Sequence, residues 1–404
     1  MASYSDRFLL DIPKTDLHVH LDGSLRLATL IELARQKGVS LPSFTEEGLN
    51  RLVFKETYRD LNEYLTGFGW TLKVLQDAEG LERAARELAL DNAAEGVRYL
   101  EIRFAPQLHM SRSFGLEQVL RAVDRGLSLA RTEINRAITA SEPPFDYGII
   151  VCAMRFFAPS FSEYYGDLYG TLSFSSPQEV IRTASLELAK AAVRLRQETD
   201  IQLVGFDLAG SEYGYPASAH EESYDYVHRN FMRKTVHAGE AYGPESIFQA
   251  IAKLHADRIG HGLHLFDEHM IYSDNVQDKK AYIQNLVNYI AENRTTVEVC
   301  LTSNLQTSPA LGDVRNHSLA AMLDRKLSLT FCTDNRLVSH TSVLKELRLA
   351  VDNFDIPPGQ LKDIIIYGFK RSFSYRPYMD KRRWVRQIIE YYEAVERRHG
   401  VVES

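Results

Sequence analysis

His18 and His20 begin the stretch of this chain whose side chains are set for metal chemistry. Leu17, Val19 and Leu21 alternate with Asp16, His18, His20 and Asp22, the period-two pattern of a strand. Residues two apart on a strand share a face, so both imidazoles point the same way, next to Asp22. Neutral imidazole is a common zinc ligand, and two on one face offer half of a catalytic site. Taken alone, the triplet reads equally well as two half-exposed histidines, so further ligands must come from elsewhere.

They are available at the ends of later strand-like runs. Thr235-Val236-His237-Ala238-Gly239-Glu240 carries an imidazole and, three residues on, a carboxyl group. Arg258-Ile259-Gly260-His261-Gly262 adds His261, and Thr330-Phe331-Cys332-Thr333-Asp334-Asn335 adds Asp334. Gly205-Phe206-Asp207-Leu208-Ala209-Gly210 closes on Gly210. Three imidazoles and one carboxylate, His18, His20, His237 and Asp334, suit a catalytic zinc or similar ion with one position open to water. Such an ion brings the pKa of its water towards neutrality. His261 and Glu240 are not needed as ligands and are free to act as base and acid. Each residue also has a plain reading: a strand-end His237 bonded to backbone, Asp334-Asn335 and Asp22-Gly23 as turns, Glu240 as a helix cap, His261 filling a corner. Their joint placement at strand ends favours the site.

Strands and helices must alternate to bring these ends together, and they do. After the first strand, strands are expected at 97–104, 147–154, 201–208, 234–237, 258–261, 295–301 and 328–333. Between them lie helical patterns. One follows Ser24 as N-cap and ends near Gly38; a second covers 55–76, with Leu61, Tyr64, Leu65 and Phe68 as an apolar stripe. Others cover 81–95, 116–137, 177–197, 244–254, 279–292 and 317–325, and helices fill about 341–397 with a break at Pro357-Pro358. Eight such units imply parallel pairing with right-handed crossovers, closed as a (β/α)8 TIM barrel of the α/β class. Residues 1–404 are expected to form one barrel domain with insertions after strands and extra C-terminal helices. An open doubly wound sheet lacks support, because no GxGxxG or GxxxxGK[ST] turn follows the first strand. The insertions, 156–176 and 211–230, are rich in Phe and Tyr. They read either as pocket walls or a homodimer surface, or as loops packed over outer helices.

The 404-residue chain is 45% hydrophobic and 25% charged, a globular composition. A net charge of −7 without a basic block leaves no electrostatic footprint for nucleic acid. Cys152, Cys300 and Cys332 stand singly in apolar runs, which argues for reduced core thiols and a cytoplasmic protein. No apolar run approaches the ~18 residues of a membrane span. Residues 1–10 lack the basic start and apolar core of a secretory signal.

Lys14-Thr15-Asp16-Leu17-His18-Val19-His20-Leu21-Asp22-Gly23-Ser24, the 205–210 and 235–240 segments, Arg258-Ile259-Gly260-His261-Gly262, Val297-Glu298-Val299-Cys300-Leu301-Thr302-Ser303-Asn304 and Thr333-Asp334 resemble the adenosine deaminase family, in the family's order. The resemblance implies one zinc ion per chain on His18, His20, His237 and Asp334. It implies Glu240 as the acid that protonates purine N1, and His261 as the residue that orients and deprotonates the attacking water. It further implies a backbone contact from Gly210 to purine N3, a ribose contact from Asp22, and an apolar lid formed by the Leu61–Phe68 stripe. The partner implied is a small purine nucleoside, with adenosine converted to inosine and ammonia. One departure stands out: Asn335 occupies the place of the family's second aspartate, and Arg336 a place where proline is common. That aspartate contacts purine N7, an acceptor, and an amide can donate to it at any pH. Free adenine or a modified nucleoside such as aminodeoxyfutalosine remains an alternative substrate. A binuclear amidohydrolase is disfavoured because the fourth strand end has no lysine. An inactive binding protein is disfavoured because every proposed catalytic residue is present.

Overall fold

Each of the eight apolar stretches forms a strand in the computed structural model, which describes residues 4–401. They are β1 (Lys14–His20), β2 (Val97–Phe104), β3 (Asp146–Met154), β4 (Leu203–Ala209), β5 (Arg233–Ala238), β6 (Arg258–His261), β7 (Thr296–Val299) and β8 (Leu329–Phe331). Neighbours in sequence are neighbours in the sheet, and every pair is parallel. The ring closes between β8 and β1: the His20 N–H donates to the Asp334 carbonyl and the Asp334 N–H to the His18 carbonyl, each at 2.7 Å. Helices run outside, between successive strands, giving the expected (β/α)8 barrel. The strands are covered on both faces and are almost wholly buried, as parallel strands under helices must be.

Several boundaries move for physical reasons. Ser24 does not cap the first outer helix. That helix is Leu27–Lys37, with Arg26 at its N-cap, and the Ser24 hydroxyl instead accepts from the Arg336 N–H. Gly38 does end it, at φ +66°. The 55–76 stretch is not one helix but two short ones, Leu61–Leu65 and Phe68–Val74, interrupted at Thr66-Gly67. Of its stripe only Tyr64 is fully buried, for a polar reason given below. The 295–301 strand stops at Val299 because Leu301 already starts the helix Leu301–Thr307. The C-terminal run holds three helices, Val343–Asn353, Pro358–Arg371 and Tyr378–His399, so residues 372–377 form a second break beside the expected one.

Both insertions fold onto the barrel. The helices Glu163–Thr171 and Glu221–Arg229 bury Tyr165 and Tyr224, and the Tyr224 hydroxyl donates to the Thr235 carbonyl of β5 at 2.8 Å. The three cysteines are buried and unpaired. Among the described residues no helix is long and apolar enough to cross a membrane. Residues 1–3 of the N-terminal stretch lie outside the described residues.

Candidate active site

Charged residues inside parallel strands are costly unless paired, and in this barrel they form one connected system. At its top, His18 and His20 of β1, His237 of β5 and Asp334 after β8 bring one ligand atom each to within 4.8 Å of one another. His18 Nε2 and His20 Nε2 both lie 3.4 Å from Asp334 Oδ1, and His20 Nε2 lies 3.1 Å from His237 Nε2.

A second layer of carboxylates sets the tautomers. Glu298 of β7 lies 2.8 Å from His18 Nδ1, and Asp207 of β4 lies 3.2 Å from His237 Nδ1. A carboxylate accepts, so each Nδ1 carries hydrogen and each Nε2 turns a lone pair to the centre. His18 Nε2 is buried with no hydrogen-bond partner. Lone pairs meeting in a buried space, beside a carboxylate, fit a cation and fit nothing else as well. Burial holds His20 and His237 below the usual imidazole range. Burial acts the same way on His18, but Asp334 and Glu298 together outweigh it and shift its pKa upward. The same two carboxylates favour any cation placed there. Arg103 ties the layer together, donating to Asp207 at 3.0 Å, Glu298 at 2.9 Å and the Leu17 carbonyl at 2.6 Å. Ser303 donates to Asp334 Oδ2 at 2.6 Å.

Glu240 is carried on the turn after β5, and the residue that shapes this turn is Glu212. One Glu212 oxygen accepts from the Gly239 N–H at 3.1 Å. The other accepts from Glu240, Ala241 and Tyr242 at 3.1, 2.7 and 3.0 Å. Ser246 also donates to the first of these oxygens, the one that accepts from Gly239. Burial, with help from the Asp334 and Glu212 charges, pushes the Glu240 carboxyl up to about 8. It is therefore a proton donor at neutral pH.

His261 Nε2 lies 3.9 Å from Glu240 Oε2. Its tautomer follows from a chain of four groups. The Leu319 N–H can only donate, and it meets His317 Nδ1 at 2.9 Å. His317 Nε2 must then carry the hydrogen it shares with Asn304 Oδ1, at 3.1 Å. That fixes the Asn304 amide, whose nitrogen lies 3.1 Å from His261 Nδ1. His261 Nδ1 is thus an acceptor, and its hydrogen sits on Nε2, facing the centre. Both His261 and Asp334 adopt left-handed backbone, at φ +66° and +58°, which non-glycine residues take up at a cost.

Asn335 is buried between Gly23, just past β1, and Tyr64 of the helix Leu61–Leu65. Its amide nitrogen donates to the Tyr64 hydroxyl at 2.8 Å, and Tyr64 shares a second bond with Ser339 at 2.7 Å. This is why Tyr64 alone of the Leu61–Phe68 stripe is fully buried. One Asn335 N–H remains, and its Oδ1 is unpartnered against Gly23, where a Cβ would stand only 1.9 Å away. Gly210 follows β4 at φ +94°, the geometry of a strand end that turns its backbone outward. Asp22 is buried just past β1, with Oδ1 unpartnered.

The sequence reading singled out none of Asp207, Glu298, Ser303, Arg103, Glu212, Asn304 or His317 for a role. For Asp207, Glu298 and Arg103 a signal existed: each is a charge within a run that must be buried. For Glu212 there was none, because its partners lie at the end of β5, and for His317 there was none, because Asn304 meets it only once the segment after β7 has folded.

The sequence model of the adenosine deaminase family matches residues 13–165 and 178–391. Adenosine deaminase 1 of Streptomyces coelicolor is 32% identical over 380 residues, covering 94% of this chain and 86% of its own length. Adenosine deaminase of Mycolicibacterium vanbaalenii is 35% identical over 363 residues, covering 89% and 90%. Among solved structures, that of the Arabidopsis N6-mAMP deaminase superposes with a TM-score of 0.72 at 26% identity, over 95% of this chain and 99% of that one.

Proposed function

This chain belongs to the adenosine deaminase family, a metal-dependent family of aminohydrolases, and we propose that it hydrolyses a 6-aminopurine nucleoside, adenosine first, to the 6-oxo nucleoside and ammonia. One juxtaposition carries the reading: a buried carboxyl that is protonated at neutral pH, Glu240, at the edge of a four-ligand set built for a cation. In this reading His18, His20, His237 and Asp334 hold one zinc ion. With zinc bound, the site gains a water of near-neutral pKa as the nucleophile for C6.

The chain's own groups do the rest. Glu240 donates its proton to purine N1, which withdraws electron density from C6 and opens it to addition. The Nε2–H of His261 donates a hydrogen bond to the oxygen that adds at C6, steadying the charge that develops there. The His261 tautomer favours this donor role over the removal of a proton from the water. Gly210 contacts N3 through its backbone, and the second Asn335 N–H is available to N7. Water adds at C6, one of its protons passes to the departing amino group and the other restores the Glu240 carboxyl, ammonia leaves, and C6 becomes a carbonyl. A cytoplasmic setting fits the three buried free thiols.

Because Glu240 must be protonated and its pKa is raised to about 8, turnover is expected to fall as pH rises through about 8. A kcat–pH profile checks this, and a rate that climbs through that range contradicts it. Asn304→Asp replaces the donor to His261 Nδ1 with an acceptor, which moves the ring hydrogen to Nδ1. It is expected to lower kcat by ~10–100-fold with little change in KM. A variant with higher kcat would assign His261 the role of base instead. The reading as a whole is tested by ammonia release from adenosine, deoxyadenosine, adenine, AMP and larger 6-aminopurine nucleosides. Adenosine is expected to give the highest kcat/KM, and release from none of them ends the proposal.

A further inference from the structure

Asn335 has a polar partner on another element, and that partner decides which way its amide faces. Asn335 follows the candidate ligand Asp334 directly, and its amide nitrogen meets the hydroxyl of Tyr64, on the helix Leu61–Leu65, at 2.8 Å. Both side chains are buried. The Tyr64 hydroxyl shares a second bond with Ser339 at 2.7 Å, and Ser303 acts on it as a third neighbour. Ser303 gives its own hydrogen to Asp334, a carboxylate that only accepts, so towards Tyr64 it offers lone pairs. The Tyr64 hydrogen therefore goes to a serine, and the side that Tyr64 turns to Asn335 is an acceptor. An acceptor selects the NH2 end of the amide. Asn335 Oδ1 is left at the other end, shut off from solvent and without a hydrogen-bond partner.

The frame around this amide is rigid. The Ser339 N–H donates to the Asn335 carbonyl at 2.8 Å, and the Leu337 and Val338 N–H groups donate to the Gly23 carbonyl at 3.0 and 3.3 Å. Only a glycine at position 23 leaves room for Oδ1, since a Cβ there would stand 1.9 Å from it. The Tyr58 hydroxyl donates to the Val338 carbonyl at 2.8 Å, and the Gln306 amide donates to the Glu56 carbonyl at 3.0 Å. The segment that carries Tyr64 is thus tied down by groups other than the Tyr64 hydroxyl. What that hydroxyl adds is the direction of the amide.

Direction matters because substrate and product differ in kind at C6. Beside N7, an acceptor, a 6-amino group carries N–H donors and a 6-oxo group carries lone pairs. An amide that presents one N–H and its oxygen together matches an acceptor next to a donor, the pairing by which asparagine reads adenine on this edge. It mismatches two acceptors. An amide free to turn would offer its NH2 group to either and lose the distinction.

We propose that Tyr64 is a positioning residue that fixes the Asn335 amide, so that Oδ1 accepts a hydrogen from the 6-amino group of the substrate and opposes the 6-oxo group of the product. The inference rests on the deaminase reading and adds to it the group that sets the amide and a reason for the product to leave.

The test compares two ligands on zinc-loaded wild type, Tyr64→Phe, Asn335→Ala and the double variant, with metal content and melting temperature measured for each. 1-Deazaadenosine keeps the amino group and N7 but has no N1 for Glu240 to protonate, so it binds without turnover. Inosine presents the 6-oxo group. In wild type, inosine is expected to bind about 10-fold or more weakly than 1-deazaadenosine. In Tyr64→Phe that gap is expected to narrow to about 2-fold, chiefly because inosine binds more tightly, and Asn335→Ala narrows it to the same extent. The double variant narrows it no further than either single one. A Tyr64 that merely anchors its helix would weaken both ligands by one factor and leave the gap as it was. An unchanged gap in folded Tyr64→Phe or in Asn335→Ala, or no gap in wild type, overturns the inference and leaves the deaminase reading standing. Wild type that releases no ammonia from adenosine overturns both. Should Tyr64→Phe fail to fold, the gap in wild type and in Asn335→Ala still decides.

Discussion

Glu240→Gln is expected to keep its metal and its fold while kcat drops about 100- to 10,000-fold, the usual range for losing a positioned acid. Glutamine matches glutamate in shape, so the four backbone N–H bonds that Glu212 makes around this turn are undisturbed. What it lacks is a transferable proton. A carboxyl group buried to this degree, with Asp334 and Glu212 acting in the same direction, is protonated where an exposed one is not. The amide can still donate a hydrogen bond to N1, so KM should change less than kcat. Steady-state kinetics on the purified variant, with metal measured in the same sample, separates the two effects. A variant with wild-type kcat would remove Glu240 from the chemistry.

Stripping the metal is expected to abolish activity altogether and to destabilise the barrel. His20 Nε2 and His237 Nε2 lie 3.1 Å apart and the His18 Nε2 lone pair is buried without a partner, all beside the Asp334 carboxylate. A cation satisfies every one of these groups, and without it the protein must protonate them or leave them unpaired. Binding to the folded state alone contributes about 4 kcal/mol at a free metal concentration 1,000 times Kd. Chelation followed by unfolding measurements and zinc add-back tests this. Full activity in metal-free protein would contradict it, as would an unfolding midpoint insensitive to zinc.

Much of the fold could be read in advance because parallel barrels repeat a simple pattern. Buried strands such as Asp146–Met154 hold apolar runs, and long outer helices such as Leu116–Ala137 keep one apolar face, so the eight strands and the helices between them follow from periodicity. The 55–76 stretch does not form the one helix its spacing at Leu61, Tyr64, Leu65 and Phe68 suggests, because the backbone breaks at Thr66-Gly67. Tyr64 turns inward for the sake of Asn335 and Ser339, partners some 270 residues away that no local pattern reveals. Ser24 illustrates the same limit, since a hydroxyl suited to capping a helix is used by Arg336 instead.

The site divides along similar lines. His18, His20, His237 and Asp334 could be grouped because each ends a strand and all strand ends share one rim. The residues that orient them could not, because Glu298 and Asp207 meet their histidines only across the barrel interior. The direction of the His261 hydrogen is set by Leu319, Asn304 and His317, which depend on the fold of the segment after β7.

The account stands or falls on one paired measurement: metal content per chain, and ammonia released from adenosine by the same sample. It predicts about one zinc per chain, loss of absorbance at the adenine band and one ammonia for each adenosine consumed. A protein holding one zinc per chain that releases no ammonia from any 6-aminopurine would contradict it.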